Sequence, residues 1–278
     1  MALSHDGRER PYLLHVPPNV SGERAPLLLE LHGRGIDPTM FDRWTGFATL
    51  ADEAGFMLAM PSAVGEVWND GRWHGTQWES PDDVGYLLAL IDDVGARLPI
   101  DRRRIYVVGM SNGATMAGRL ACEHAERIAA VAQVAGTAAM DVAAGCRPIM
   151  PVPILQVHGT ADRYAPYGGG RASGLGARLF IRQRAGPCVG VDEWARLWVD
   201  TNRADDGPHS AMLPPDTTVR RWRGDSSASD VAFFRVDGCG HTWPGNRTWV
   251  PPLFGRTSRT FDATRVIWDF LAAHRREA

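Results

Sequence analysis

The sequence predicts an α/β fold, a mostly parallel sheet with helices on both faces. Two observations carry this. Apolar runs without polar alternation, such as "LLLEL" and "IYVV", mark strands covered on both sides. Helical patterns separate those runs in steady alternation, as βαβ units require. The chain has 278 residues, 44% hydrophobic and 22% charged, with no Pro/Gly/Ser-rich linker, so a single domain over residues 1–278 is expected.

The elements follow in order. "YLLHVPP" reads as an early strand ended by Pro17 and Pro18, and "APLLLELHG" as a buried one. "DRWTGFATLADEAG" has helical spacing and stops at Gly55; "FMLAMPS" is the next strand. After the tryptophan-rich loop "VWNDGRWHGTQWES", Ser80 and Asp82 are candidate caps for the helix "DVGYLLALIDDVGARL". "RRIYVVG" is a buried strand and "ATMAGRLACEH" its following helix. "IAAVAQVAGT" and "PVPILQVHGT" are two more strands, and the Gly-rich "YGGGRASGLGARL" leads to the helix "VDEWARLWVDTN". "TTVRRWRGD" and "VAFFRVDG" can pair as strands, and "ATRVIWDFLAAH" closes the chain as a helix.

The strand "RRIYVVG" runs into "MSNGATM", which sets Ser111 between Gly109 and Gly113. A strand-to-helix turn this tight strains the serine and tolerates only small neighbours. It exposes Ser111 Oγ above the sheet and aims the first N–H groups of the next helix at the same point.

Serine needs a base, and the base a carboxylate. In the α/β-hydrolase arrangement the chain order is Ser, acid, His. Of the nine histidines, five follow Ser111. His124 and His274 lie in helices, His158 inside a strand and His209 in a polar loop, whereas His241, in "GCGHTWPG", stands in a loop past a strand end. His241 is the expected base. Asp162, just past the strand "PVPILQVHGT", is the expected acid. The loop "HGRG" after the first buried strand supplies a backbone N–H at Arg34, which with that of Asn112 forms an oxyanion hole.

Trp68, Trp73 and Trp78 share one loop, and Trp243 stands two residues past the base. As aromatic walls they suit a flat acyl group, Trp243 first among them; the alternative is that they seal the loop onto the core. The Gly-rich run 168–176 lacks P-loop spacing and a lysine, and reads as a loop, not a phosphate cradle.

The four cysteines show no zinc spacing, and no metal is expected. They read as buried thiols, or Cys122 and Cys146 as a disulfide, since both flank one helix-strand unit. A net charge of -2 offers no field for nucleic acid, and no apolar run spans a bilayer. The first residues, "MALSHDGRERPYLLHVPP", show no signal-peptide core, which fits a cytoplasmic chain or one whose signal has been removed.

Several segments together resemble the polyhydroxybutyrate depolymerase and feruloyl esterase group of secreted α/β-hydrolases, a carbohydrate esterase family 1-like group: "RERPYLLHVPP", "LLLELHGRG", "VWNDGR", "DDVGYLLALIDD", "RRIYVVGMSNGATMAGRLACEH", "VPILQVHGTADRYAPY" and "GCGHTWPG". The resemblance implies a mostly parallel α/β-hydrolase sheet. It implies an extracellular serine esterase with Ser111, Asp162 and His241 as triad, a small-molecule or oligomeric ester as substrate, and no cofactor. It departs where the group carries Asn-Gly-Cys: here Asn202 is followed by Arg203 and Ala204. Two other readings of the fold are an acyltransferase and a non-catalytic binding protein.

Overall fold

The computed structural model describes the chain except residues 19, 21–23, 73–79, 174–184, 247 and 278. Among the described residues, ten strands form one sheet. They are β1 (Ala2–His5), β2 (Arg8–His15), β3 (Ala25–Leu31), β4 (Met57–Pro61), β5 (Ile100–Met110), β6 (Ala130–Val134), β7 (Ile154–Gly159), β8 (Asp206–Leu213), β9 (Thr217–Arg223) and β10 (Val231–Val236). Their order is β1-β2-β4-β3-β5-β6-β7-β10-β9-β8. The six strands from β4 to β10 in that order are parallel, and antiparallel hairpins flank them at both edges.

Seven helices are described: α1 (Pro38–Thr45), α2 (Phe47–Ala54), α3 (Asp83–Arg97), α4 (Asn112–Glu123), α5 (Met140–Gly145), α6 (Val191–Asn202) and α7 (Ala263–Ala272). Alternate residues of each central strand feed two cores. In β3, Leu27, Leu29 and Leu31 join α3, α4 and α6, while Leu28 joins α1, α2 and α7. Every side chain of β3 is buried, which is why the sequence there is an unbroken apolar run except at Glu30.

Three elements depart from the sequence reading. The helix expected over residues 42–55 is broken at Gly46, whose φ of 75° ends α1 and begins α2. Strands β1 and β8 carry no apolar run, because they sit at the sheet edges; β8 is exposed along seven of its eight residues. Asp82, one of the two expected caps, does cap α3, its side chain accepting from Gly85 N–H at 2.9 Å.

Candidate active site

Ser111 is the single residue between β5 and α4, with φ 57° and ψ -119°. A side chain held there stores about 1–3 kcal/mol of strain. The surroundings fix it on both sides: Ser111 N–H donates to Val134 O at 2.9 Å, and Thr115 N–H donates to Ser111 O at 3.0 Å. The flanking glycines are demanded by contact. A Cβ at Gly109 would run into Gly113 O, and one at Gly113 into Leu31 O of β3. Gly136, which the sequence did not single out, lies as close: a Cβ there would sit 2.5 Å from Ser111 O.

Asp162 and His241 leave the carboxyl ends of β7 and β10, which are adjacent in the sheet. His241 Nδ1 and Asp162 Oδ2 are 2.8 Å apart, both residues buried. Asp162 Oδ1 accepts from the N–H groups of Tyr164 and Ala165, each at 2.8 Å. Burial opposes ionisation of this carboxyl, but the charge and hydrogen bond of His241 outweigh it and hold its pKa below the usual aspartate value. The aspartate is thus an anion at neutral pH, and a carboxylate on Nδ1 fixes the tautomer that leaves Nε2 for a nucleophile. Among the described residues, the His241–Asp162 bond is made, while Ser111 Oγ and His241 are not hydrogen-bonded to each other. Phe254 O anchors His241 from behind, accepting its N–H at 2.7 Å.

His158, a strand residue of β7, sits under Asp162. Its Nε2 donates to Ala165 O at 2.8 Å and lies 3.7 Å from Asp162 Oδ2. Burial pushes its pKa down, so the ring is neutral.

The loop after β3 reaches the same corner. A Cβ at Gly33 would touch Ser111 Cβ at 3.6 Å. His32 holds this loop: Nδ1 donates to Gly33 O at 2.8 Å and Nε2 accepts from Ala63 N–H at 3.1 Å. Asn112 begins α4, where its N–H has no intrahelical acceptor. Its side chain accepts from Trp68 N–H at 2.7 Å and donates to Trp68 O at 3.1 Å and to Asp70. Asp70 is wholly buried and pairs with Arg72, whose Nε donates to it at 2.8 Å. No local pattern announces this clamp under Asn112, although its residues fall within "VWNDGR".

For Trp68 and Trp243 the structure corrects the expected role as substrate walls. Trp243 is 1% exposed, edge-on to Phe41 and Phe47 at 5.8 and 6.0 Å, with its indole N–H on Thr264. Trp68 is 0% exposed and donates to His32 O at 2.9 Å. Both belong to the core and offer no face to a substrate; Trp73 and Trp78 lie outside the described residues. Cys122 and Cys146 form a disulfide, while Cys188 and Cys239 are free and buried. No metal-binding cluster occurs among the described residues.

The fold is that of the α/β-hydrolases, and the comparisons place the chain among their esterases. The chain belongs to the family described as Esterase PHB depolymerase, whose model matches residues 10–164. It is 31% identical over 275 residues to "Putative esterase NocK" of Nocardia uniformis subsp. tsuyamanensis, covering 95% of this chain and 80% of that one. It is 32% identical over 244 residues to "Feruloyl esterase B" of Piromyces equi, covering 84% of this chain but 42% of that protein's length. Among solved structures, a thermostable esterase aligns with TM-score 0.62 at 16% identity, over 99% of this chain and 62% of that one. An acetyl xylan esterase from Aspergillus awamori aligns with TM-score 0.58 at 14% identity, over 83% and 88%. The protein is a carboxylic ester hydrolase. No helix among the described residues is long and apolar enough to cross a membrane.

Proposed function

We propose that Ser111, His241 and Asp162 form the catalytic triad of this esterase and that the reaction passes through an acyl-enzyme. The observation that carries the reading is the 2.8 Å bond from His241 Nδ1 to Asp162 on the sheet rim where Ser111 stands strained. Ser111 Oγ approaches Nε2 as substrate settles, a contact that commonly tightens only in the complex. Oγ attacks the ester carbonyl and its proton passes to Nε2. Asp162 stabilises the imidazolium. The N–H groups of Asn112 and Arg34 receive the oxyanion, each worth on the order of 3 kcal/mol of barrier. The proton then goes to the leaving alcohol, and water, deprotonated by His241, releases the acid and restores Ser111.

The names of the relatives, feruloyl esterase and acetyl xylan esterase, favour feruloyl or acetyl esters as substrates. The Cys122–Cys146 disulfide supports an extracellular setting, where such bonds persist. Mixing the enzyme with a p-nitrophenyl ester should give a burst of one nitrophenol per active site. Ser111→Ala should abolish burst and turnover together; full turnover by that variant would remove the assignment.

A further inference from the structure

Ser111 stands at the carboxyl ends of the parallel strands, and the opposite end of the sheet carries a second feature. There β5 opens with Asp101, Arg102, Arg103 and Arg104, about 30 Å from Ser111 along the strand. Arg24, just ahead of β3, and Arg275, shortly past α7, close on the same place. The five arginines and Asp101 border an open cleft of about 430 Å³. Backbone bonds join the three segments beneath it: Ala25 N–H donates to Pro99 O at 3.0 Å, and Arg276 N–H to Arg103 O at 2.9 Å.

The way these guanidinium groups are held leaves charge to spare. Arg103 Nε donates to Arg276 O at 2.8 Å, and Arg104 Nη2 to Arg24 O at 3.0 Å. A neutral carbonyl fixes the direction of a fork without cancelling its charge. Carboxylates meet only part of the cluster. Asp101 accepts from Arg104 at 2.8 Å and pairs with Arg275 at 3.1 Å. Asp92 accepts from Arg102 at 2.7 Å and from Arg127 at 2.8 Å. Arg24 and Arg103 make no ion pair among the described residues. Six guanidinium groups thus share two carboxylates, on a chain whose net charge is -2. Like charges this close repel, and a bound anion relieves the repulsion.

The chemistry of that anion follows from the cluster. Planar guanidinium forks match the oxygens of carboxylate and phosphate two at a time. A cluster this compact needs several charges in little space. Each phosphate group brings about -1.5 to -2 charges and three acceptor oxygens near neutral pH, where a carboxylate brings a single charge. A chain of uronic acids spreads its carboxylates one to a sugar, so few of them would meet the cleft. We propose that this cleft binds a diphosphate group, held first by Arg24 and Arg103, with Arg104 and Arg275 adding to the field. The site owes nothing to the triad and lies apart from the ester.

Titration calorimetry with sodium diphosphate, in phosphate-free buffer of low ionic strength, should show one saturable site that weakens steeply as NaCl is added. Sulfate, with fewer charges, should bind about tenfold more weakly or worse. Arg24→Gln and Arg103→Gln should each weaken diphosphate by roughly tenfold. Arg196→Gln, which removes an exposed arginine from α6, should leave its affinity unchanged. Hydrolysis of p-nitrophenyl acetate should keep its kcat/KM in both cleft variants, which also shows them folded, and under saturating diphosphate. ADP distinguishes the sources of the group: affinity equal to diphosphate supports a site for phosphate esters, and weaker affinity supports a site for the free anion. No saturation by about 1 mM diphosphate would overturn the site. So would sulfate binding as tightly, wild-type affinity in both cleft variants, inhibition of ester hydrolysis, or retention on polygalacturonate that diphosphate fails to displace.

Discussion

Asp162 has two different jobs. One oxygen ties down its own loop through two backbone N–H groups, and the other faces the imidazole. An Asp162→Asn variant keeps much of the first and loses the charge. It should fold normally, with kcat lower by roughly 10³–10⁴ and KM little changed, as steady-state kinetics on one short acyl ester would show. Because the fold lowers its pKa, protonation of Asp162 should not limit the wild-type rate until the pH drops below the ordinary aspartate range. At this scale the site was largely legible. Order along the chain and position past strand ends are local properties; they point to Asp162 and His241, which the fold sets 2.8 Å apart, and to Ser111, which stands between β5 and α4, the three residues proposed as the triad. Trp243 was illegible for the opposite reason. Its neighbours Phe41 and Phe47 lie some two hundred residues earlier, so nothing around "HTWPG" announces that the indole is enclosed.

Among the elements, α6 ends in a way that the family pattern makes intelligible. Arg203 follows its last residue with φ 53° and ψ 45°, the left-handed conformation for which glycine is suited. Arginine there costs about 1–2 kcal/mol, partly offset because glycine would loosen the unfolded chain by about 0.5–1 kcal/mol. Arg203→Gly should therefore stabilise the protein by about 0.5–1 kcal/mol, read from the urea midpoint at constant slope. The residue before it must stay: Asn202 is buried, accepting from Val152 N–H at 3.1 Å and donating to Val152 O at 2.7 Å just ahead of β7. The central strands and the helices between them were readable because burial on both faces leaves a continuous apolar trace. The edge strands β1 and β8 were not: β1 is four residues long and only half-buried on one face, and β8 is exposed along nearly all its length, so neither leaves such a trace.

Across the whole molecule, the least expected group is Glu30, one residue before the end of β3 and 1% exposed. Thr45 donates its hydroxyl to Oε1, while Thr45 O receives the hydroxyl of Thr264, which in turn accepts the Trp243 indole N–H. A polar thread thus joins β3 to the loop of the proposed base through an apolar core. Burial first, then the charge of Asp42, raises the Glu30 pKa well above its ordinary 4.5. The native state therefore favours the protonated acid. Its contribution is complete below pH 4.5 and fades as pH rises through the folded value. Glu30→Gln should melt with wild type at pH 4 and above it, by a few degrees, at pH 8 in thermal scans. Parallel curves at both pH values would contradict a carboxyl kept neutral by the fold.

The bond between Cys122 and Cys146 lies at the far end of the helix that Ser111 opens, linking the last turn of α4 to the end of α5. That helix is consequently fastened at head and tail. It cannot slip along its axis to let the serine relax into comfortable torsion angles without pulling on a covalent tether, so a staple some ten residues from Ser111 helps hold the proposed nucleophile at its positive φ.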